Sequence, residues 1–401
     1  MTTRSGLLRT CRRLAGQGIM TAGLALLLAT QPAAIAGTRK PASTASYSYF
    51  ATGNPDAAVS APSTLNAPSF VLMGGGPDVD EAFRWMIDRA GITPKTGGRF
   101  VVIRATGTEA YNPYIYYSND ASSTSSPPAE LWVGGAALGL SSVETLVIPS
   151  IEAANDETVN AIVGRANAVF IAGGDQADYI RYWKGTRLDG TLKSLMAKNI
   201  PLGGTSAGLA VLGQFDYAAL NGTVTSKQAL SNPYNKYMTL DPAPPAPTGG
   251  FIAPPALANL ITDSHLDSRD RMGRLFAFVA RLVRPDGSTG CSGGILPAGG
   301  GTGTARGIGI AVETALLVQG DRAGVTARRV TNPSTSTESA VYFVRPLNPP
   351  TACLDGKPLT MTTVEVQKLT DSGTVFNLGE WSGLKPRTFD AVSGELTASP
   401  Y

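Results

Sequence analysis

The chain has 401 residues, 33 Lys and Arg against 30 Asp and Glu, one His and three Cys, for a formal charge of +3. That length can hold one large core, and so few His and Cys argue against a zinc site; nothing in the sequence implies a cofactor. The excess charge is local: the first 36 residues carry four Arg and no acid, the rest has 29 basic and 30 acidic side chains, a net charge of −1, and nucleic acid is excluded as the expected partner.

Those 36 residues have the layout of a signal peptide. Arg4, Arg9, Arg12 and Arg13 form a basic start, Ile19 to Leu28 a short apolar run, and Ala34-Ile35-Ala36 a small-x-small cleavage site. The apolar run is too short to span a bilayer, so the expectation is a secreted or periplasmic protein of bacterial type, with no stable membrane insertion after cleavage. Cys11 leaves with the signal, and Cys291 and Cys353 remain as a pair that an oxidising compartment could join. Residues 37–68, rich in Ser, Ala, Pro and Thr, read as a flexible N-terminal segment.

An α/β hydrolase domain is expected over 69–320. Phe70-Val71-Leu72-Met73 is a strand that runs into Gly74-Gly75-Gly76, and Asp78-x-x-Glu81 then opens an amphipathic helix. Phe100 to Ile103, Thr145 to Ile148, Ala168 to Ala172 and Ile200 to Leu202 are short, nearly continuous apolar runs, as strands buried on both faces should be. Helices are expected at Asp156 to Arg165 and near Leu192 to Ala197. The whole predicts a mostly parallel sheet flanked by helices. From Ala311 onward short strand-like runs at 314–318, 325–330, 340–344, 362–366 and 374–378 follow one another between turns, and 321–401 reads as a β-rich C-terminal region.

Gly204-Thr205-Ser206-Ala207-Gly208 has the form of a nucleophile elbow, a sharp strand-to-helix turn whose glycines make room for an exposed serine hydroxyl. In so glycine-rich a chain chance supplies about half such a match, and a second one surrounds Ser292. Context separates them. Ser206 follows an apolar run and precedes an alanine-rich one, whereas Ser292 lies in a glycine-rich loop stretch, 285–303, that offers no strand.

A serine hydroxyl needs a general base, and His265 is the one histidine available. It stands where the apolar run Leu260-Ile261 gives way to a polar loop, with Arg269, Arg271 and Arg274 after it. On a helix Arg271 and Arg274 would share a face, and guanidinium groups there would select carboxylate-bearing substrates. An oxyanion needs two fixed donors: the Ala207 amide is one, and the Gly174 amide, in Gly173-Gly174-Asp175-Gln176 at the end of a buried strand, is the other.

Four ordered motifs now carry a resemblance: Gly-Gly-Asp-Gln at 173–176, Gly-Thr-Ser-Ala-Gly at 204–208, Asp263-x-His265 with its three arginines, and Gly307-Ile308-Gly309-Ile310 before Thr314-Ala315-Leu316. Together they resemble cyanophycinase and its relatives, serine peptidases that include aspartyl dipeptidases, over about residues 70–320. The resemblance implies a class I glutamine-amidotransferase-like (flavodoxin-like) fold and hydrolysis of cyanophycin, a poly-aspartate bearing arginines, to β-aspartyl-arginine dipeptides. It implies Ser206 as nucleophile, His265 as base, Gly174 and Ala207 as oxyanion donors, and Gln176, Asp263, Arg269, Arg271 and Arg274 around the substrate.

The chain departs from the family pattern at three places. Ser264-His265-Leu266 stands where cyanophycinases usually read Gln-His-Phe. The triad acid, usually in an Asp-Glu pair before the Thr-Ala-Leu, falls here to Glu313, one position out of place; on a regular strand that shift would turn the carboxylate to the other face unless a bulge absorbs it. The third is the 285–303 insert. The expected partner is a peptide or cyanophycin-like polymer, and the reading allows a homodimer. Two alternatives stand beside it: a broader acidic-peptide or isoaspartyl peptidase, and a non-catalytic binding protein that lost the triad acid.

Overall fold

The computed structural model describes residues 46–401 apart from 119–131, 247, 286–292, 322–323 and 336. Of the two units into which the chain divides, Thr44–Tyr401 holds every described residue, and the signal-peptide reading at 1–36 lies outside them. The apolar runs become β2 of a series that starts with β1 (Ser48–Gly53): β2 (Ser69–Met73), β3 (Arg99–Arg104), β4 (Ser142–Val147), β5 (Ala168–Ile171) and β6 (Leu202–Thr205). Two short strands, β7 (Asp216–Tyr217) and β8 (Leu240–Asp241), pair with each other, and β9 (Leu260–Asp263) and β10 (Arg306–Ile310) run parallel. The remaining strands are β11 (Thr314–Asp321), β12 (Gly324–Thr331), β13 (Val341–Pro346), β14 (Met361–Leu369), β15 (Val375–Asn377), β16 (Arg387–Val392) and β17 (Glu395–Leu396).

They form two large sheets. The nine-stranded sheet has the order β1, β4, β3, β5, β6, β2, β11, β12, β15, and the six-stranded one β17, β16, β14, β13, β10, β9. In the first, β4, β3, β5, β6 and β2 are mutually parallel and antiparallel strands lie on either side. This is a mixed α/β fold with a parallel centre. Its strands are apolar without alternation because both faces are covered: Phe70 and Leu72 enter one core with Val101 and Ile103, while Val71 and Met73 enter another with Phe100 and Val102.

The helices are α1 (Asp80–Arg89), α2 (Tyr111–Tyr116), α3 (Gly135–Leu138), α4 (Ile151–Asn155), α5 (Glu157–Gly164), α6 (Gln176–Trp183), α7 (Arg187–Ala197), α8 (Ala207–Ala210), α9 (Ser226–Ser231) and α10 (Met272–Leu282). Asp156 and Asp175 cap α5 and α6 by accepting amide protons from their first turns. The start of α1 differs from the expected capping box. Its cap comes from Asn332, which accepts the Asp80 N–H at 3.0 Å, and the Asp78 carboxylate instead accepts the Tyr111 hydroxyl at 2.5 Å. Every residue of α10 is buried, including Arg274 and Arg281. A helix so placed is apolar nearly all round, and its two cations are each paired, Arg281 with the Pro233 carbonyl and the Tyr234 ring.

Two stretches fold in ways that composition hid. Ser48–Gly53, inside the segment read as flexible, pairs with β4 along its full length from Ser48↔Val147 to Gly53↔Ser142. Main-chain pairing at a sheet edge needs no apolar pattern. The strands after Asp321 divide between the two sheets rather than forming a sheet of their own. Gly307 and Gly309 run through the second sheet beneath α10 and Leu266, where a Cβ would stand 2.8 Å from Val279 and 2.6 Å from Leu266. Among the described residues no helix is long and apolar enough to cross a membrane.

Candidate active site

Ser206 stands at the C-terminal end of β6, the central strand of the nine-stranded sheet, where α/β sheets place their reactive groups. Its φ of 53° and ψ of −112° lie outside the ordinary regions, the strain of a turn that must pass from strand to helix in one residue. The flanking glycines have a steric reason. A Cβ at Gly204 would come 2.4 Å from the Gly208 carbonyl group, and one at Gly208 would come 2.0 Å from the Ile171 carbonyl oxygen. The second pattern match, around Ser292, and its neighbour Cys291 lie outside the described residues; Cys353 is buried and disulfide-bonded.

His265 follows β9 and turns back with φ 48°, which brings its Nε2 to 2.8 Å from Ser206 Oγ. Burial first, then the charges of Arg269 and Arg271, lower its pKa to about 4 against the pull of Asp263 and Asp267, so the ring is neutral at physiological pH. A hydroxyl held 2.8 Å from a neutral imidazole nitrogen can pass its proton as the oxygen attacks a carbonyl.

The glycine run after β2 supports this geometry. Gly74 O accepts the His265 N–H at 2.7 Å and Gly75 O accepts the Glu313 N–H at 2.9 Å. Glu313 therefore hangs from the same loop as His265. It precedes β11 and has φ 56°, so strand alternation does not set the direction of its side chain. Asp267, which no sequence signal singled out, accepts the Val312 N–H at 3.1 Å beside it.

A cavity of about 240 Å³ opens beside Ser206, lined by Gly174, Gln176, Ala207, Asp263, Arg269, Arg271 and Arg274 among the residues expected there. It also takes in Asp175 and Ser264 from the same motifs, and Ala219 and Thr223, which the motifs did not point to. A Cβ at Gly174 would stand 2.7 Å from the Tyr179 hydroxyl, which would have to give way, and one at Gly173 would come 3.5 Å from Ser206 Cβ. Gln176 reaches the Tyr217 carbonyl at 3.4 Å.

The three arginines differ in what remains free for a ligand. Arg274 is 2% exposed and commits its guanidinium to the protein: Nε and Nη2 bond both oxygens of Asp263 at 2.7 and 2.5 Å, and Nη1 reaches Thr223 and Val224. Its guanidinium carbon also stands 5.0 Å from the Tyr217 ring centre and 5.6 Å from that of Phe278, two rings that stack on each other at 4.7 Å. Arg271 donates Nη1 to Ser264 O and stands 3.9 Å from Asp263, which leaves donors facing the cavity, and Arg269 is exposed at the rim. The Asp263 charge is thus already balanced by Arg274, and Arg271 and Arg269 are the two further cationic groups on the cavity wall.

Residues 135–227 match peptidase family S51. The chain is a serine-type peptidase. The matched S51 segment contains Gly174, Ser206 and Ala207 and ends before His265. No curated protein matches the sequence. Among solved structures the chain is similar to a peptidase from an acI-B1 Actinobacterium, at 17% identity and TM-score 0.42, covering 78% of this chain and 97% of that one. It is also similar to a candidate peptidase E of Listeria monocytogenes EGD-e, at 14% identity and TM-score 0.36, covering 66% of this chain and all of that one, 100%.

Proposed function

We propose that this peptidase is exported and hydrolyses aspartyl peptides of the cyanophycin type to β-aspartyl-arginine dipeptides, on a class I glutamine-amidotransferase-like fold with a β-rich C-terminal region. The observation that carries the reading is the 2.8 Å contact between Ser206 Oγ and the neutral His265 ring at the mouth of an arginine-lined cavity. His265 takes the Ser206 proton as Oγ adds to the carbonyl carbon. The Ala207 and Gly174 amides hold the oxyanion, and His265 returns its proton to the leaving amine as the C–N bond breaks. Water then repeats the sequence on the acyl-enzyme and frees Ser206.

Glu313 orients His265 in this scheme, supported by the shared anchorage of both residues on the carbonyls of Gly74 and Gly75. Arg271 and Arg269 receive the substrate carboxylate, Gln176 contacts the substrate beside them, and Asp263 with Arg274 shapes the pocket floor. No cofactor enters the reaction, and neither nucleic acid nor a membrane is a partner. Ser264, shorter than the glutamine usual in cyanophycinases, favours a second reading in which the enzyme accepts a wider range of acidic or isoaspartyl peptides.

The test is incubation of the mature protein with cyanophycin and with acidic peptides, followed by product mass analysis and labelling by a fluorophosphonate. Release of dipeptide and labelling lost in Ser206→Ala support the proposal. Cleavage of acidic peptides alone removes the cyanophycin claim, and no labelling of the wild-type protein removes the nucleophile.

A further inference from the structure

The hydroxyl of Tyr401 meets the loop that carries His265 at three points. It accepts the Met272 N–H at 2.9 Å, donates to Leu266 O at 2.9 Å and lies 3.2 Å from Asp270 Oδ1. Leu266 O also accepts the Arg271 N–H at 2.8 Å, so one carbonyl joins Tyr401 to the residue that faces the cavity. The loop between them is not held by regular structure. His265 and Asp270 have φ of 48° and 44°, in the left-handed region that disfavours a residue with a side chain.

On its other side the Tyr401 ring packs edge-on against Tyr342 of β13, ring centres 5.8 Å apart. Tyr342 is buried in the middle of the second sheet, so Tyr401 links a rigid strand to a strained loop. We propose that Tyr401 is a positioning residue: its hydroxyl holds the 265–271 loop so that the His265 ring stays against Ser206 and out of water. This rests on the reading of Ser206 and His265 as a working pair, yet Tyr401 lies far outside the segment that matches the S51 family. The contacts tie activity to a residue that touches no substrate.

The chain has one histidine, so in untagged full-length protein the imidazole signals in an NMR titration belong to His265 alone. The groups that act on that ring are Arg269, Arg271, Asp263 and Asp267, and Asp270 faces Tyr401. Tyr401→Phe keeps the ring and removes all three hydroxyl contacts. A loosened loop admits water and lets the two arginines withdraw, and both changes raise the midpoint, by roughly 0.5–1, while Ser206 labelling by the fluorophosphonate slows about tenfold.

A midpoint in Tyr401→Phe equal to that of the wild type overturns the proposal. Leu195→Ala, a destabilising change on the remote helix α7, is the control: it lowers the melting temperature and leaves the midpoint in place, and if it moved the midpoint as far, the assignment to Tyr401 would fall. Absence of labelling in the wild type would refute the hydrolase reading without touching the midpoint comparison, so the two failures are separable.

Discussion

Gly75 lies against the ring of His265: a Cβ there would stand 2.4 Å from both Cε1 and Nε2 of the imidazole. The glycine is also held at φ +94°, where a side chain is strained in any case. The ring can reach Ser206 only because this position is bare. Gly75→Ala therefore displaces the imidazole from Oγ, and a displacement of about 1 Å costs on the order of 100-fold in rate. Fluorophosphonate labelling of Gly75→Ala should fall by about that factor with the circular dichroism spectrum retained; labelling at the wild-type rate would contradict the contact.

The pH dependence follows from the same ring. With its pKa lowered to about 4, His265 is neutral from there upward, so the labelling rate rises through about pH 4 and stays level to neutrality. An unperturbed histidine would place that rise near pH 6.5, about where the unfolded chain titrates. Between the two values the unfolded chain binds more protons than the folded one, so stability increases with pH. That contribution is lost as pH falls from about 6.5 towards 4. Burial pushes the Asp216 and Asp78 carboxyls up, and they titrate with the opposite sign. The test is therefore the difference in urea midpoint between the wild type and His265→Gln, which should move against the wild type on acidification across that range; a difference that moved the other way would show that the ring gains a proton on folding.

Asp263 and Arg274 are each 2% exposed and joined by two hydrogen bonds. Removing one partner strands the other charge in the interior, because Arg271 stands 3.9 Å away and is itself engaged with Ser264. Arg274→Met should cost roughly 3–5 kcal/mol in urea unfolding, and Asp263→Leu combined with Arg274→Met should recover part of that. Equal losses in the single and double variants would mean that the pair is not the unit that matters.

Much of this arrangement is legible in the sequence, for steric reasons. The apolar runs of β2, β3 and β5 cannot be solvated on either face, and the glycines around Ser206 fit only where backbones pass within van der Waals contact. The exposed edge strand at Ser48–Gly53 has no such signature. Nor does β10, whose Gly307 and Gly309 suit a strand only because α10 and Leu266 lie directly over them. Within the site, the sequence places Arg274 and Arg271 in one motif but cannot divide their work. That division depends on Asp263 lying within 2.5 Å of Arg274 and on two aromatic rings, one from β7 and one from α10. Asp267 and Tyr401 act through backbone groups of a loop, and backbone groups leave no pattern in side-chain chemistry.

Glu313 and Asp267 are both tied to the loops around His265, the first through its backbone N–H and the second through its carboxylate. Glu313→Gln keeps the N–H bond to Gly75 and removes only the charge, so its effect on rate isolates the acid's role. Labelling slowed by about 100-fold in Glu313→Gln, against a few-fold in Asp267→Asn, is the expected result. The reverse order would transfer the role to Asp267.

Arg271 has two effects that one variant can separate. Its donors face the cavity, and its charge also lowers the His265 pKa. Arg271→Met removes a carboxylate-binding group, which should raise KM for acidic peptides by roughly 10–100-fold. It also removes a cation next to the base, which should move the pH midpoint of labelling upward from about 4. The small neutral fluorophosphonate does not need the anion site, so its rate on the neutral plateau should change little. An unchanged KM for acidic peptides together with an unchanged midpoint would place Arg271 outside the site. A raised midpoint with unchanged KM would keep its charge in the field of His265 and remove it from substrate recognition, leaving the exposed Arg269 to receive the carboxylate.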